Sequence, residues 1–185
     1  MTTPATTFNL PAKQRAERKL LITVAAWKVG TTEKREILGT RTEDSSIEYN
    51  ADIETTTDIR GINYTDINRT QPQQTFDPYL VLGNSELGAY LDDIRRRNAV
   101  AELNQFTIYI ITAYKGTSGA YEAERHDGCT IAYTALGGDT KVNMPIDVYL
   151  SNDSYDANGK SLGHATLGTV DKLSDDFEFS AHTVG

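Results

Sequence analysis

Residues 47–76 constrain the fold of this chain more than any other stretch of the sequence. In the first half of this segment, apolar, small or β-branched residues alternate with polar, mostly acidic residues. The odd positions hold Ile47, Tyr49, Ala51, Ile53, Thr55, Thr57 and Ile59, and the even positions hold Glu48, Asn50, Asp52, Glu54, Thr56 and Asp58. A period of two is typical of a β-strand whose two faces meet different surroundings. The pattern therefore predicts a half-buried strand with carboxylates on its wet face.

The alternation breaks at Arg60-Gly61 and resumes less regularly, which predicts one long hairpin with a turn at these residues. Each arm would have about a dozen residues, whereas ordinary strands have about five or six. A hairpin of that length needs support. Either it lies on a second sheet of its own domain, as an ordinary sandwich hairpin with a solvated acidic face, or neighbouring copies of the chain cover its open edges.

Composition limits the class of protein. The chain has 185 residues, which suits one domain with a substantial core, so we treat residues 1–185 as a single domain. Its 26 acidic and 18 basic residues give a formal charge of −8, which argues against a protein that grips nucleic acid by its phosphates. The lone Cys129 excludes an internal disulfide. Without a secretion signal or a long apolar run, we expect a soluble protein that is made in a reducing cytoplasm.

The rest of the chain predicts short strands and one helix. Strands are expected at residues 20–29, 33–38, 106–114, 120–125, 129–133, 141–151, 162–170 and 177–179, with a hairpin turn at Asp127-Gly128. Residues 85–97 predict the helix, because Asn84 or Ser85 can cap its start. One helix face repeats Leu87, Leu91 and Ile94. The fold class is therefore mainly β, a β-sandwich or barrel of about eight strands with one flanking α-helix and the long hairpin.

Two clusters of positive charge stand out in this acidic chain. Residues 1–17 begin with a stretch rich in Thr and Pro and predict an extended N-terminal arm. The first cluster is Lys13, Arg15, Arg18 and Lys19, and the second, which closes the predicted helix, is Arg95, Arg96 and Arg97. A basic patch can pair with an acidic patch on another copy, so both clusters are candidate subunit interfaces. The alternatives are a solvated terminus and a helix end whose cations complement the helix dipole.

None of the motifs that carry catalytic chemistry is complete. His126, Asp127 and Cys129 lie close together, but a zinc site needs about four ligands and the other histidines are not spaced to supply them. The carboxylates along residues 48–58 form a surface field rather than an acid and base pair with separate roles. We therefore predict that the chain is not an enzyme and has no catalytic residue, no metal and no cofactor.

Several sequence phrases follow one another in a recognisable order. After the acidic hairpin come FDPY at residues 76–79, NSELGAYLDDIRRRNAV at 84–100, DGCTIAY at 127–133, MPIDVYLS at 144–151 and GTVDKLSDDFEF at 168–179. In this combination, residues 47–179 resemble the major tail tube proteins of tailed bacteriophages and phage-like injection particles, particularly those of Gram-positive hosts. The resemblance implies a β-sandwich or barrel with one flanking helix, homohexameric rings whose long hairpins line a central channel, and stacking of these rings into a tube.

The resemblance also implies a role for the acidic face of the hairpin. Glu48, Asp52, Glu54 and Asp58 would line the lumen and repel the phosphates of DNA, so that DNA or effectors pass without specific binding. The implied partners are further copies of the chain and the tail terminator, tape measure and baseplate proteins, in a virion and without membrane insertion. The alternative is a head-decoration or baseplate β-sandwich protein whose acidic hairpin faces solvent.

Overall fold

The computed structural model describes residues 10, 12–39, 42, 45–117, 120–151, 162–166 and 178–181. These residues form nine strands: β1 (Leu21–Val29), β2 (Thr32–Ile37), β3 (Ile47–Thr57), β4 (Asn63–Phe76), β5 (Phe106–Thr117), β6 (Ala120–Tyr133), β7 (Ile146–Tyr149), β8 (Leu162–Thr166) and β9 (Glu178–Ala181). The expected helix is α1 (Glu86–Arg97), and short 3-10 helices occupy Arg18–Leu20 and Val100–Asn104. Within the described residues, the predicted mainly β fold with one flanking α-helix is confirmed.

Strand β6 joins two antiparallel sheets. Its first part pairs with β5 and with β8, so the first sheet has the order β2, β1, β5, β6, β8, β9. Its last part, residues 130–133, pairs with β7, and the second sheet continues from β7 through β4 to β3. The hairpin turn predicted at Asp127-Gly128 is therefore wrong, because β6 continues through these residues without reversing direction. Gly128 has φ +69°, and the dipeptide bends one continuous strand from the first sheet into the second.

The main core lies between the two sheets and α1. It includes Ala25, Trp27, Phe106, Ile108 and Ile110 from the first sheet, Phe76, Ile131, Ile146 and Val148 from the second, and Leu87, Leu91 and Ile94 from α1. The helix residues are the apolar face that the sequence predicted, and all three are fully buried. A buried hydrogen bond from Thr23 Oγ1 to Gln74 Oε1 (2.8 Å) ties β1 to β4 across this core.

The first sheet is also buried on its other face. A second cluster contains Ile22, Val24, Ala26, Tyr109, Ile111, Ala113, Ala123 and Ala165. Successive residues of β1 and β5 therefore point alternately into two apolar interiors, which explains why both sequences are apolar at nearly every position. The interior strands that the sequence predicted at residues 20–29 and 106–114 are confirmed.

Helix α1 is fixed to β2 through its first turn. Ser85 Oγ accepts a hydrogen bond from the Gly88 amide (2.9 Å), so the structure selects Ser85 from the two caps that the sequence allowed. Glu36 of β2 accepts from the Tyr79 hydroxyl (2.8 Å) and from the Leu87 amide (3.0 Å). Burial raises the pKa of Tyr79, so its hydroxyl keeps its proton and continues to donate. A carboxylate at this position also complements the positive end of the helix dipole, so Glu36 holds the helix on the sheet.

Strand β7 is shorter than the sequence predicted. The segment 141–151 contains the four-residue strand β7, because Pro145 precedes it and has no amide hydrogen to donate to a ladder. The strand expected at residues 162–170 is described as β8, and residues 167–170 lie outside the described chain. The last strand is β9, which pairs with β8.

Candidate functional site: an exposed amphipathic hairpin

The hairpin of β3 and β4 extends well beyond the two sheets. β3 pairs with β4 from end to end, whereas β4 pairs with β7 through residues 73–76 alone. Among the described strands, none pairs with the outer edge of β3 or with the outer edge of β4 over residues 63–71. We call residues 48–71 the projecting hairpin, and the two sheets without it, together with α1, the body. Both edges of the projecting hairpin present backbone groups that a further strand can bind.

Asp58 organises the turn at the tip of the projecting hairpin. Its carboxylate accepts hydrogen bonds from the backbone amides of Arg60 (2.8 Å) and Ile62 (2.9 Å). Gly61 has φ +79°, which glycine adopts readily, and its amide donates to the Asp58 carbonyl (2.9 Å). These bonds, the one from the Ile62 amide foremost, lower the pKa of the Asp58 carboxyl. The turn therefore engages the carboxylate that the sequence pattern grouped with the acidic face of β3.

One face of the projecting hairpin is apolar and uncovered. Tyr49, Ile53 and Ile67 lie on it, and Ile53 stands opposite Ile67 in the strand register. Tyr49 and Ile53 are each 58 % exposed, and Ile67 is 65 % exposed. The sequence predicted a half-buried strand, and that prediction is wrong for the described chain, because β3 is exposed at every position after Ile47. Ile53 and Ile67 are thus mostly open to solvent, whereas Tyr49, nearer the body, is partly covered, and this burial together with Glu124 and Tyr114 raises the pKa of its hydroxyl.

The opposite face of the projecting hairpin is acidic. Glu48, Asp52 and Glu54 lie on it together, because β3 alternates regularly. Asp66 of β4 joins them, since it stands directly opposite Glu54. Alternation within β3 alone could not assign Asp66 to this face, because its place opposite Glu54 is set by the turn, which pairs Thr57 with Asn63. Like charges at directly opposite positions are unfavourable in a hairpin, so this pairing does not stabilise the single chain.

Arg18 holds the base of the hairpin for its own chain. Its Nε and Nη2 atoms donate to the Ser45 carbonyl (3.1 and 2.6 Å). Ser45 Oγ in turn donates to the carbonyl of Thr75 in β4 (2.7 Å). The N-terminal segment is thereby fixed next to the point where the hairpin leaves the body. This intramolecular role differs from the subunit contact that the sequence predicted for Arg18.

The other basic residues of the N-terminal segment lie on the surface. Lys13 and Arg15 are exposed. Lys19 contacts Glu17 (2.9 Å), and the two side chains are 61 % and 59 % exposed. Exposed ion pairs add little stability, so the contact between Lys19 and Glu17 contributes little to the folding of one chain. Residues 1–9 and 11 of the expected arm lie outside the described residues.

The arginines at the end of α1 are paired within the chain. Arg95 and Arg96 both contact Asp92 (2.7 and 2.9 Å). Arg97 donates two hydrogen bonds to Glu102 (2.9 and 3.0 Å). The side chain of Arg96 is 72 % exposed, compared with 37 % for Arg95 and 47 % for Arg97. Of the predicted interface arginines, Arg96 is therefore the one best placed to contact a neighbouring molecule.

The residues that suggested metal or nucleophile chemistry lie in the interior. His126 is 2 % exposed, and its Nε2 lies 3.3 Å from a Glu124 carboxylate oxygen. Burial raises the pKa of the Cys129 thiol to about 11, which leaves almost no thiolate at neutral pH. In the part of the chain that the structure describes, no three His, Cys, Asp or Glu residues are placed to hold a metal ion. The described helix is too short and too polar to cross a membrane.

Neither a protein-family model nor a curated protein matches this chain. The grounds for a functional proposal are therefore the geometry of the projecting hairpin and the order of sequence phrases that resembles tail tube proteins. The hairpin is also the surface whose exposure the folding of a single chain does not explain.

Proposed function

We propose that this chain is a structural, self-assembling protein, a tail tube subunit of a phage or of a phage-like injection particle. One observation carries the proposal: the projecting hairpin is apolar on one face, acidic on the other and unpaired at both edges within the described chain. An exposed apolar surface of this kind marks an interaction site. Natural proteins normally blunt or cover long open strand edges. Pairing between hairpins of neighbouring copies would satisfy both features.

Closure into a ring would pair the open edges of the projecting hairpin and give each of its two faces a different environment. When hairpins pair side by side in a closed barrel, each edge meets the edge of a neighbour and none remains open. The apolar face, with Tyr49, Ile53 and Ile67, then turns towards the bodies of the subunits. The acidic face turns towards the lumen. The resemblance to tail tube proteins implies that the ring is a homohexamer and that rings stack into a hollow tube.

An acidic lumen suits a conduit for DNA. Duplex DNA carries one negative charge about every 1.7 Å along its axis. Glu48, Asp52, Glu54 and Asp66, repeated around the ring, would repel these phosphates and keep the duplex from adhering to the wall. The same arrangement gives no sequence readout, so DNA passes without specific binding. The remaining partners would be the tail terminator, tape measure and baseplate proteins of a virion.

The self-assembly is tested by removing the projecting part of the hairpin. Asn50 and Gln71 stand opposite each other in the register, so an Asn-Gly turn can replace residues 51–70. We expect rings or tubes from the full chain in negative-stain electron microscopy, and folded monomers from the shortened chain in light scattering. Monomers alone from the full chain, or rings from the shortened chain, would contradict the proposal.

The lumen assignment is tested by reversing charge on the acidic face. One variant combines Glu48→Lys, Asp52→Lys and Glu54→Lys, and its control combines Glu17→Lys, Glu86→Lys and Glu178→Lys on exposed positions outside the hairpin. Both change the net charge equally. We expect tubes of the hairpin variant to retain a fluorescent DNA duplex in co-sedimentation at low salt, and tubes of the control to retain far less. Equal retention by the two variants would remove the lumen assignment.

A further inference from the structure

A second exposed apolar surface lies away from the hairpin. Val81, Leu136 and Val142 are 41 %, 46 % and 54 % exposed. Two β-bridges through Asn143 connect the three short segments that carry them, and the Val81 amide donates to the Val142 carbonyl (3.2 Å). We call Val81, Leu136 and Val142 the end patch.

The end patch is an uncovered margin of the main core. Tyr79 and Met144 lie two residues from Val81 and Val142, so they share a side of these extended segments. Tyr79 and Met144 are buried at 6 % and 0 % exposure, and the Met144 amide donates to the Tyr79 carbonyl (2.9 Å). The apolar interior therefore continues outwards along these segments until it reaches solvent at the end patch.

The tip of the projecting hairpin lies at the other end of the same strand. β4 runs from Asn63 beside the turn to Phe76, which shortly precedes Val81. It has 14 residues, a length of about 45 Å at the usual strand rise of about 3.3 Å per residue. At the tip, Ile59 is 106 % exposed and Ile62 is 46 % exposed. A side chain as exposed as Ile59 gains nothing from the folding of its own chain.

We propose that the hairpin tip of one copy docks on the end patch of a copy in the next ring, and that this contact stacks rings into a tube. The inference rests on the proposed function. The tip and the end patch are unlike surfaces at opposite ends of one strand, so the contact is head to tail. A head-to-tail contact that does not close on itself produces an open filament. Pairing along the hairpin edges closes each ring, and the tip contact adds the next ring.

Charge favours a second copy of the chain as the occupant of the end patch. Arg60 at the tip contacts Asp58 of its own turn (3.3 Å), but its side chain stays 71 % exposed and can also reach a carboxylate of another copy. Near the end patch there are two exposed carboxylates, Asp77 and Asp139, and one exposed cation, Lys141. Asn143 Nδ2 donates a hydrogen bond to Asp77 (3.1 Å). Each contact is small, but all the contacts of one ring with the next form together, so their affinities reinforce each other.

Charged substitutions on the two surfaces test the inference. Ile59→Asp alters the tip and Val142→Asp alters the end patch, while Val100→Asp is the matched control at a position that is 55 % exposed. With full-length chains, we expect the first two variants to form rings in native mass spectrometry but tubes shorter by about tenfold or more in electron microscopy, because a carboxylate in an apolar contact weakens it at least that much. Val100→Asp should give tubes of wild-type length.

A disulfide tests the contact directly. In a chain with Ile59→Cys and Val142→Cys, oxidation of assembled tubes should give a ladder of linked chains on a non-reducing gel, and the pair Ile59→Cys with Val100→Cys should not. Cys129 is buried and stays out of the reaction. The inference is overturned if tubes of Ile59→Asp have wild-type length, or if Ile59→Cys with Val142→Cys gives no ladder. In either case the proposed function stands as long as rings form. A wild-type chain that forms neither rings nor tubes overturns the proposed function, and the inference with it.

Discussion

Strands β5 and β3 have nearly the same length, 12 and 11 residues, and opposite surroundings. β5 lies between β1 and β6, and its two faces point into two apolar clusters. β3 has β4 as its one partner within the described chain, and both of its faces are exposed after Ile47. The apolar run of β5 is accounted for by its own chain. The alternation of β3 is accounted for if its apolar face is covered by other copies, which is the role that we propose for it.

The same comparison divides the expected effects of substitutions. A change in the body should alter the stability of the single chain, because its side chains are buried there. A change in the projecting hairpin should alter assembly and leave the single chain nearly as stable as before.

Leu91 of α1 is fully buried in the main core. Leu91→Ala should lower the free energy of unfolding by about 2–5 kcal/mol, because it removes apolar contacts and leaves a cavity. Urea denaturation followed by circular dichroism measures this change. Val100→Ala, at a position 55 % exposed, should change the same quantity by less than about 0.5 kcal/mol. Equal losses in the two variants would contradict the packing of α1 against the sheets.

Glu36 accepts hydrogen bonds from the Tyr79 hydroxyl and the Leu87 amide at the start of α1. Glu36→Ala should lower the free energy of unfolding by about 1–3 kcal/mol, because partly buried donors lose their acceptor. Glu36→Gln keeps one acceptor oxygen and should recover part of the loss. The exposed ion pair of Lys34 with Glu86 (3.1 Å) provides the control, since Lys34→Ala should have little effect. A loss in Glu36→Ala no larger than in Lys34→Ala would show that this cap is unimportant.

The turn at the hairpin tip should depend on pH through Asp58. The folded-state pKa of this carboxyl is lowered below the ordinary value of 3.8, mainly by the bond from the Ile62 amide. Its contribution to the turn is therefore complete above that ordinary value and is lost as the pH falls through the lower folded-state value. The amide chemical shifts of Arg60 and Ile62 should report this titration, and they should stay flat in Asp58→Asn. A midpoint above 3.8 would contradict the described turn.

Arg96 tests whether the helix end contacts a neighbour. Asp92 keeps its contact with Arg95 when Arg96 is removed, so Arg96→Ala should leave the Tm of the single chain unchanged. We expect the same variant to weaken ring formation, measured by native mass spectrometry, because the Arg96 side chain is 72 % exposed. Normal ring formation would limit Arg96 to contacts at the helix end of its own chain.

Ile53 gives the sharpest contrast with the core. Its side chain is 58 % exposed, so Ile53→Asn should leave the Tm unchanged while it abolishes ring formation in light scattering. Ile108→Asn is the matched variant in β5, where the residue is fully buried, and it should prevent folding. A Tm loss in Ile53→Asn comparable with that of Leu91→Ala would mean that the apolar face of the hairpin is covered within the single chain.

The sequence was informative wherever local chemistry decides the structure. The cap at Ser85, the helix face and the turn at Gly61 follow from short-range hydrogen bonding and periodicity, and the structure has all of them. The prediction from the sequence failed at Gly128, because an Asp-Gly pair occurs both in tight turns and in bent strands. Pairing with the distant strands β5, β7 and β8 decides that it is part of a bent strand here. Asp66 was missed for a related reason, since its place opposite Glu54 depends on how the turn aligns the two strands.

Because β4 is one uninterrupted strand, a pull along the projecting hairpin reaches the interior of the body directly. Its last residues are fixed by the ladder with β7 and by the bond from Thr23 to Gln74. Ladder hydrogen bonds lie across the strands, so tension along β4 loads them all at once in shear. A sideways pull would instead open them one after another from the Gln73 end. A tube built from such hairpins would therefore withstand axial tension better than lateral peeling of a single subunit.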